Sequence, residues 1–180
     1  MNLLKDKYII VEVIPTSSDS KKGIIAQLSA LKLDRIKLID RFDYRVDEKL
    51  VNNKDLYQLQ VGNMTIEFKY SENDKDLLEM ISYDKDNFKY TDNPDLILSE
   101  FKKWNGDLPI MLIEKDYTKE YLASLNNKME LVYPYLEVEY NYDVFNTIMN
   151  KYQIEASNYL VDIIYEAIIL ESNNEKVNNE

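Results

Sequence analysis

The sequence contains no cysteine and no histidine, and it has only three glycines and four prolines among 180 residues. Without cysteine, the chain cannot form disulfides, thiolate zinc sites or a cysteine nucleophile. Without histidine, it has no Ser-His or Cys-His triad, no histidine-ligated metal and no access to the commonest general base near neutral pH. Any catalysis must therefore use carboxylates, tyrosine, lysine or hydroxyl groups.

Long apolar runs are also missing, since no stretch approaches the roughly 20 residues that a membrane helix needs. The first residues, MNLLKDKYIIVEV, carry charges where a signal peptide has its apolar region. We therefore expect a cytoplasmic protein that has no membrane association. The length and the 45% hydrophobic content suit one compact domain, which we place at residues 1–172, followed by a polar flexible tail at 173–180.

Acidic residues outnumber basic ones, and the net charge is -11. Residues 1–60 hold 11 Lys and Arg against 9 Asp and Glu, whereas residues 61–180 hold 11 against 24. Because phosphate binding needs clustered Lys and Arg, we expect no broad nucleic-acid-binding face in the second part. In KLDRIKLIDRFDYR (32–45), basic residues alternate with aspartates, which favours a solvated strand face. An acidic surface aids solubility and can attract a basic protein partner.

The first half of the chain has the pattern of successive strands. The β-branched segment YIIVEVI (8–14) predicts a buried strand, and alternation of apolar and polar residues predicts a hairpin of strands at 23–34 and 35–46. Residues 47–90 are rich in Asn, Asp and Lys. We expect loop there, with a short strand at NMTIEFKYS (63–71) and a short helix.

The second half has the pattern of helices around one strand. Pro94 suits the first turn of a helix at 94–104, which Gly106 ends. A buried strand is predicted at LPIMLI, and further helices follow; the ranges are 108–113 for the strand and 116–128, 142–154 and 157–171 for the helices. This order of elements predicts an α/β fold with a mixed central sheet flanked by helices.

Three short stretches carry a family resemblance: EVIPTS (12–17), IEKDYTKEYL (113–122) and SNYLVDI (157–163). The first stands where a family motif reads D-x-E-T-T-G after an apolar strand. Through these stretches and the order of elements, residues 7–171 resemble the exonuclease domains of the DEDD superfamily, the proofreading-type 3'-to-5' exonucleases. The resemblance implies a ribonuclease-H-like fold. In such domains four carboxylates hold two divalent cations, which activate water and stabilise the leaving oxygen of a phosphodiester.

The resemblance assigns metal-binding positions to individual residues. Glu12 stands at the first Asp of the family pattern, and Ile14 stands at its companion Glu. Thr118 stands at the Asp of the second motif, with Asp116 two residues away. Asp162 retains the last Asp. The candidate metal ligands are therefore Glu12, Asp116 and Asp162, the candidate catalytic residues are Glu12 and Asp162, and Mg²⁺ or Mn²⁺ would be the cofactor of an active enzyme.

The general base of the family has no matching residue. Ser157 stands where the family has His, and Asn158 stands where one branch has Tyr, so Tyr159 misses that position by one residue. Two of four carboxylates and no base make a poor catalytic site. A shifted arrangement would have to use Asp116 or Glu114 as the second-motif carboxylate.

Each of these residue types also has a structural explanation. Glu12 can pair with a Lys or Arg, or face solvent, because a carboxylate buried without a partner is costly. Asp162 and Glu166 are four apart on a predicted helix and also fit a solvated stripe. The 15 tyrosines can stack on bases in a single-strand channel, or they can pack half-buried in the core.

Three functions are compatible with these patterns. The main prediction is a catalytically degenerate 3'-5' exonuclease-like domain, a binding or regulatory module in nucleic-acid metabolism. It would engage a protein partner through its acidic surface, or single-stranded nucleic acid weakly. One alternative is an active metal-dependent 3'-5' exonuclease with shifted carboxylates. The other is an acidic inhibitor or nucleic-acid mimic that binds a basic nuclease or polymerase.

Overall fold

A six-stranded mixed sheet forms the centre of the chain. The computed structural model describes residues 6–17, 19–46, 48–53, 56–61, 64–69, 88–113, 117–157 and 159–177. Within these ranges the strands are β1 (Lys7–Pro15), β2 (Ile25–Asp34), β3 (Lys37–Val46), β4 (Glu48–Asn53), β5 (Leu56–Val61), β6 (Met64–Lys69), β7 (Lys89–Thr91), β8 (Ile110–Leu112) and β9 (Met129–Leu131). The central sheet has the order β7-β3-β2-β1-β8-β9, and β4, β5 and β6 form a second sheet.

Strands β1, β2 and β3 form the antiparallel half of the central sheet, which confirms the predicted buried strand and hairpin. The hairpin turns at Arg35, whose φ of 59° lies in the left-handed region that tight turns use. The register aligns one residue of each strand in a continuous row, because Glu12 pairs with Ser29 and Ser29 pairs with Asp43.

The remaining strands of this sheet are parallel to their neighbours. Strand β8 runs parallel to β1, β9 runs parallel to β8, and β7 runs parallel to β3 at the other edge. Parallel neighbours need crossover connections. Helix α1 (Pro94–Asn105) connects β7 to β8, and the one-turn helix α2 (Thr118–Tyr121) lies between β8 and β9. The predicted strand at 108–113 is confirmed as β8, whereas β7 and β9 were not predicted.

Local signals explain where the helices begin and end. Asn93 caps α1 by accepting a hydrogen bond from the backbone N–H of Asp95 at 3.1 Å, and Gly106 ends it with a φ of 60°. The predicted helices at 142–154 and 157–171 are confirmed as α3 (Val144–Tyr152) and α4 (Leu160–Val177). Helix α4 continues past the predicted end. The helix predicted at 116–128 is wrong in length, because only α2 forms there.

Helices cover both faces of the central sheet. Helix α1 packs on one face through Ile97 and Phe101, against a layer that includes Ile9, Val11, Leu28 and Phe42. Helices α3 and α4 pack on the other face through Ile148 and Ile164, against a layer that includes Tyr8, Ile10, Leu31 and Met111. The chain is therefore an α/β protein with a mixed six-stranded sheet flanked by helices. Among the helices described, none combines the length and apolar character needed to cross a membrane.

The second sheet corrects the prediction for the middle of the chain. Strands β4, β5 and β6 pair as consecutive antiparallel strands. Only β6 coincides with a predicted strand, and the loop predicted over β4 and β5 is wrong. Residues 70–87 lie outside the described residues, so a short helix in that segment stays a prediction.

Candidate functional site

The sheet face that carries α3 and α4 changes from apolar to polar along β1. Tyr8 and Ile10 belong to the hydrophobic layer beneath these helices. Two residues further along, Glu12 lies in one row with Ser29 and Asp43, and directly paired residues on neighbouring strands point to the same face. Glu12 is 2% exposed, Ser29 is 0% exposed and the side chain of Asp43 is 9% exposed. A buried polar row therefore crosses three strands.

A second row continues the polar region. Ile14 pairs with Gln27, and Gln27 pairs with Arg45. Gln27 and Arg45 are almost completely buried. Both rows lie toward the carboxyl end of β1, which is parallel to β8, and ligands in sheets with parallel strands bind at the carboxyl ends. The polar region therefore lies at the end of the sheet where such ligands bind.

Arg41 connects this region to the first turn of α4. Its Nη1 donates to Asp162 Oδ1 at 2.7 Å, and its Nε donates to Asp43 Oδ2. Burial acts to lower the pKa of Arg41, but the two hydrogen bonds and the charges of both carboxylates together raise that pKa above its usual value. The guanidinium therefore stays charged, and it holds two carboxylates from different elements of the fold.

A cleft of about 510 Å³ surrounds this ion-paired group; its walls are Arg41, Asp43, Lys89, Tyr159 and Asp162. The guanidinium carbon of Arg41 lies 5.2 Å from the centre of the Tyr159 ring, within the range of a cation–π contact. Behind Tyr159, the ring of Phe88 lies 5.8 Å away between ring centres. The cleft thus combines one aromatic ring, two cations and two carboxylates.

The structure brings together only some of the predicted site residues. Asp162 lies in the cleft, bonded to Arg41, and Glu12 lies in the buried row beside Ser29. The solvated-face interpretation of Glu12 is therefore wrong. Asp116 and Glu114 lie outside the described residues, so their place in a site stays a prediction.

The residues aligned with the other family positions have ordinary surroundings. Thr118 is completely buried at the start of α2. Ser157 Oγ accepts a hydrogen bond from the backbone N–H of Tyr159 at 3.2 Å, just before α4. Asn158 lies outside the described residues. Tyr159 itself lines the cleft, although its position in the sequence does not match that of the family's tyrosine.

Sequence reasoning missed Arg41 and Asp43 as site residues. It interpreted residues 32–45 as a solvated strand face, which holds for exposed residues such as Lys37 and is wrong for Arg45. A usable signal was present: Arg41, Asp43 and Arg45 are spaced by two residues on a strand, so all three point to one face. The hairpin register then places Asp43 in the same row as Glu12.

The described residues do not fit a divalent cation at Asp162. Magnesium needs oxygen ligands at about 2.1 Å in octahedral geometry, and Asp162 Oδ1 is instead 2.7 Å from a guanidinium nitrogen. A metal ion on that oxygen would lie within a few ångströms of a fixed positive charge, which is strongly repulsive in a partly buried site. Nowhere in the described ranges do three or more Asp or Glu side chains converge as ligands would.

Comparison with known proteins adds no family assignment. No protein-family model matches the chain, and no curated protein matches it either. The functional argument therefore rests on the cleft and on the ion-paired group inside it.

Proposed function

We propose that this chain is a catalytically degenerate exonuclease-like domain that works as a binding or regulatory module in nucleic-acid metabolism. The mixed sheet, with an antiparallel half, a parallel half and helices on both faces, supports the ribonuclease-H-like fold that the sequence resemblance implies. A fold alone carries no activity, so the proposal depends on the state of the site.

The observation that carries the proposal is the bonding of Asp162. This residue is the one that the resemblance aligns with the last metal-binding Asp, and it is bonded to the Arg41 guanidinium. Arg41 also bonds Asp43, so a side-chain cation of the protein itself neutralises both Asp162 and a neighbouring carboxylate of the cleft. Ile14, at the companion Glu position, supplies no ligand. These features favour a retained scaffold over a retained reaction.

Binding is the function that such a scaffold can keep. The cleft holds a ring, charged groups of both signs and enough volume for one side chain or a small ligand. The chain carries a net charge of -11, which attracts basic surfaces and speeds their association. We therefore infer a protein partner with a basic contact surface, with single-stranded nucleic acid as a weaker ligand.

A nuclease assay tests the loss of catalysis. The purified chain is incubated with a 5'-labelled single strand of DNA or RNA and with Mg²⁺ or Mn²⁺, next to a Glu12→Gln/Asp162→Asn double variant as matched control. The expected result is no shortening beyond that of the double variant. Shortening by the unmodified chain that the double variant lacks would contradict the proposal and favour an active exonuclease with shifted carboxylates.

A salt series tests the binding part of the proposal. A basic, nucleic-acid-handling protein recovered with the chain should dissociate as the salt concentration rises from 0.1 to 1 M, because screening shortens the Debye length from about 10 to about 3 Å. A complex that is insensitive to salt would show that the acidic surface does not drive binding. Inhibition of a recovered nuclease or polymerase would favour the inhibitor function instead.

A further inference from the structure

The outer edge of β3 is only partly covered. Strand β7 pairs with β3 at residues 44–46, and among the described residues no strand pairs with residues 37–43 on that side. Leu38 and Ile39, within this stretch, are 39% and 48% exposed. An open edge offers backbone N–H and C=O groups, and extended peptides use such edges to add a strand.

Clefts lie on both sides of this edge. The first is the cleft around Arg41. The second, of about 340 Å³, lies next to α1 and includes Asp40, Phe42, Tyr44, Glu100 and Trp104 in its walls. Arg41, Asp43 and Lys89 border both clefts. Successive side chains of a strand point to opposite faces, so a strand added here would send alternate side chains into the two clefts.

We propose that the open edge of β3 binds an extended segment of a basic partner protein by strand addition. This proposal rests on the binding function proposed above and names the surface that carries it. The clefts hold four carboxylates against three Lys and Arg side chains, and the whole chain is strongly acidic. Alternate Lys or Arg side chains in the partner segment match this surface.

Two details of the clefts suit cationic side chains. Asp43 Oδ1 is buried and has no hydrogen-bond partner among the described residues, so Arg41 satisfies only one oxygen of this carboxylate at the clefts. The aromatic rings already attract cations of this chain: Lys32 Nζ lies 4.3 Å from the Trp104 ring centre and Lys89 Nζ lies 5.5 Å from that of Tyr44. Rings with a negative face favour such contacts.

Asp40 occupies one backbone donor of the open edge in the free protein. Its Oδ1 accepts a hydrogen bond from the backbone N–H of Arg41 at 2.8 Å, and its Oδ2 accepts one from Trp104 Nε1 at 2.8 Å. The Arg41 N–H is therefore already bonded. An added strand has to displace the Asp40 carboxylate to use that donor, which limits uncontrolled pairing of the edge.

Fluorescence anisotropy with a short labelled peptide of alternating Lys and Val tests the proposal on the full chain. The expected result is saturable binding that weakens about tenfold or more when alternate peptide nitrogens are methylated, since the added strand then loses its ladder hydrogen bonds. A peptide of alternating Glu and Val should bind far more weakly. Equal binding of the methylated and unmethylated Lys peptides would overturn strand addition.

The Asp40→Ala variant separates strand addition from simple charge attraction. Removing the carboxylate frees the Arg41 N–H, so strand addition predicts about threefold tighter peptide binding at 0.5 M salt, where exposed charges are largely screened. Charge attraction alone predicts no tighter binding at that salt concentration, and weaker binding at low salt because a negative charge is lost. Unchanged or weaker binding by Asp40→Ala would therefore count against the proposal.

A matched pair of variants locates the binding surface. Leu38 on β3 and Leu96 on α1 are both 39% exposed. Leu38→Lys should weaken binding of the Lys peptide severalfold, whereas Leu96→Lys, with the same added charge on α1 away from the strand edge, should weaken it much less. Equal weakening by both would place the peptide elsewhere and overturn the proposal. Nuclease activity of the chain would refute the proposed function without affecting these peptide results, so the two failures can be told apart.

Discussion

The Arg41→Met substitution removes a cation that bonds two carboxylates, and it leaves an apolar stem of similar length in place. The pair with Asp162 is about one-third exposed on both sides, so it contributes about 0.2–1 kcal/mol. Asp43 is far more buried, and a hydrogen bond to a charged group of this kind contributes about 1.5–3 kcal/mol. We expect the free energy of unfolding to fall by about 2–4 kcal/mol.

Urea denaturation at neutral pH measures this loss. An unchanged slope of the unfolding free energy against urea concentration would show that the folded state is otherwise intact. Lys37→Met is the matched control, because Lys37 is exposed on the same strand and loses the same charge. Its expected cost is below about 0.5 kcal/mol. The loss of unfolding free energy in the Arg41→Met/Asp43→Asn double variant should be smaller, by at least about 1 kcal/mol, than the sum of the losses in the two single variants. A cost for Arg41→Met as small as that of Lys37→Met, or strictly additive effects, would refute the reasoning.

Three further predictions concern packing and titration near the sheet. Tyr121 donates a hydrogen bond to the Ser17 carbonyl at 2.6 Å, and burial, followed by nearby carboxylate charges, raises the pKa of Tyr121 to about 12. The protonated Tyr121 hydroxyl therefore stabilises the fold below pH 10, and this contribution is lost as pH rises toward 12. In an absorbance titration, one late-ionising tyrosine should disappear in Tyr121→Phe. Gly23→Ala should cost about 1–3 kcal/mol in urea denaturation, because a Cβ there would contact the Tyr121 hydroxyl and lie 2.8 Å from Ser17 Cβ; a neutral effect would contradict this. Ser29 Oγ is buried and has no hydrogen-bond partner among the described residues, so Ser29→Ala should leave the free energy of unfolding unchanged or raise it by up to about 1 kcal/mol, and a clear loss would show that the hydroxyl is bonded.

The parts of the fold that were predictable have strong local signals. Strand β1 is a largely apolar, β-branched run typical of a buried strand, the sequences of β2 and β3 alternate apolar and polar residues, and α1 has Pro94 and Gly106 at its ends. Strand β9 is three residues long, too short to show any period. Strands β4 and β5 lie in a polar segment whose composition favours loops. Pairing with neighbouring strands, which single-sequence patterns do not reveal, determines these three strands.

The candidate site was predictable only in part. Asp162 and Glu12 were selected by the family resemblance, and the structure describes both, one in the cleft and one in the buried polar row. Arg41 and Asp43 alternate with neighbours of opposite charge, a pattern that usually indicates a solvated face. The bond between Arg41 and Asp162 joins residues 121 positions apart. Contacts at that separation depend on tertiary packing, so the two-residue spacing could group Arg41 with Asp43 but could not add Asp162.

The most direct test of the central claim is a Mn²⁺ titration of the full chain followed by electron paramagnetic resonance of the free ion. If Arg41 holds the carboxylate that a metal would need, the chain should bind no Mn²⁺ more tightly than about 1 mM, the weak end of the range known for calcium sites built from carboxylates. The Asp162→Asn variant should behave in the same way as the unmodified chain. Stoichiometric, tighter Mn²⁺ binding that disappears in Asp162→Asn would contradict the claim that a guanidinium has replaced the metal.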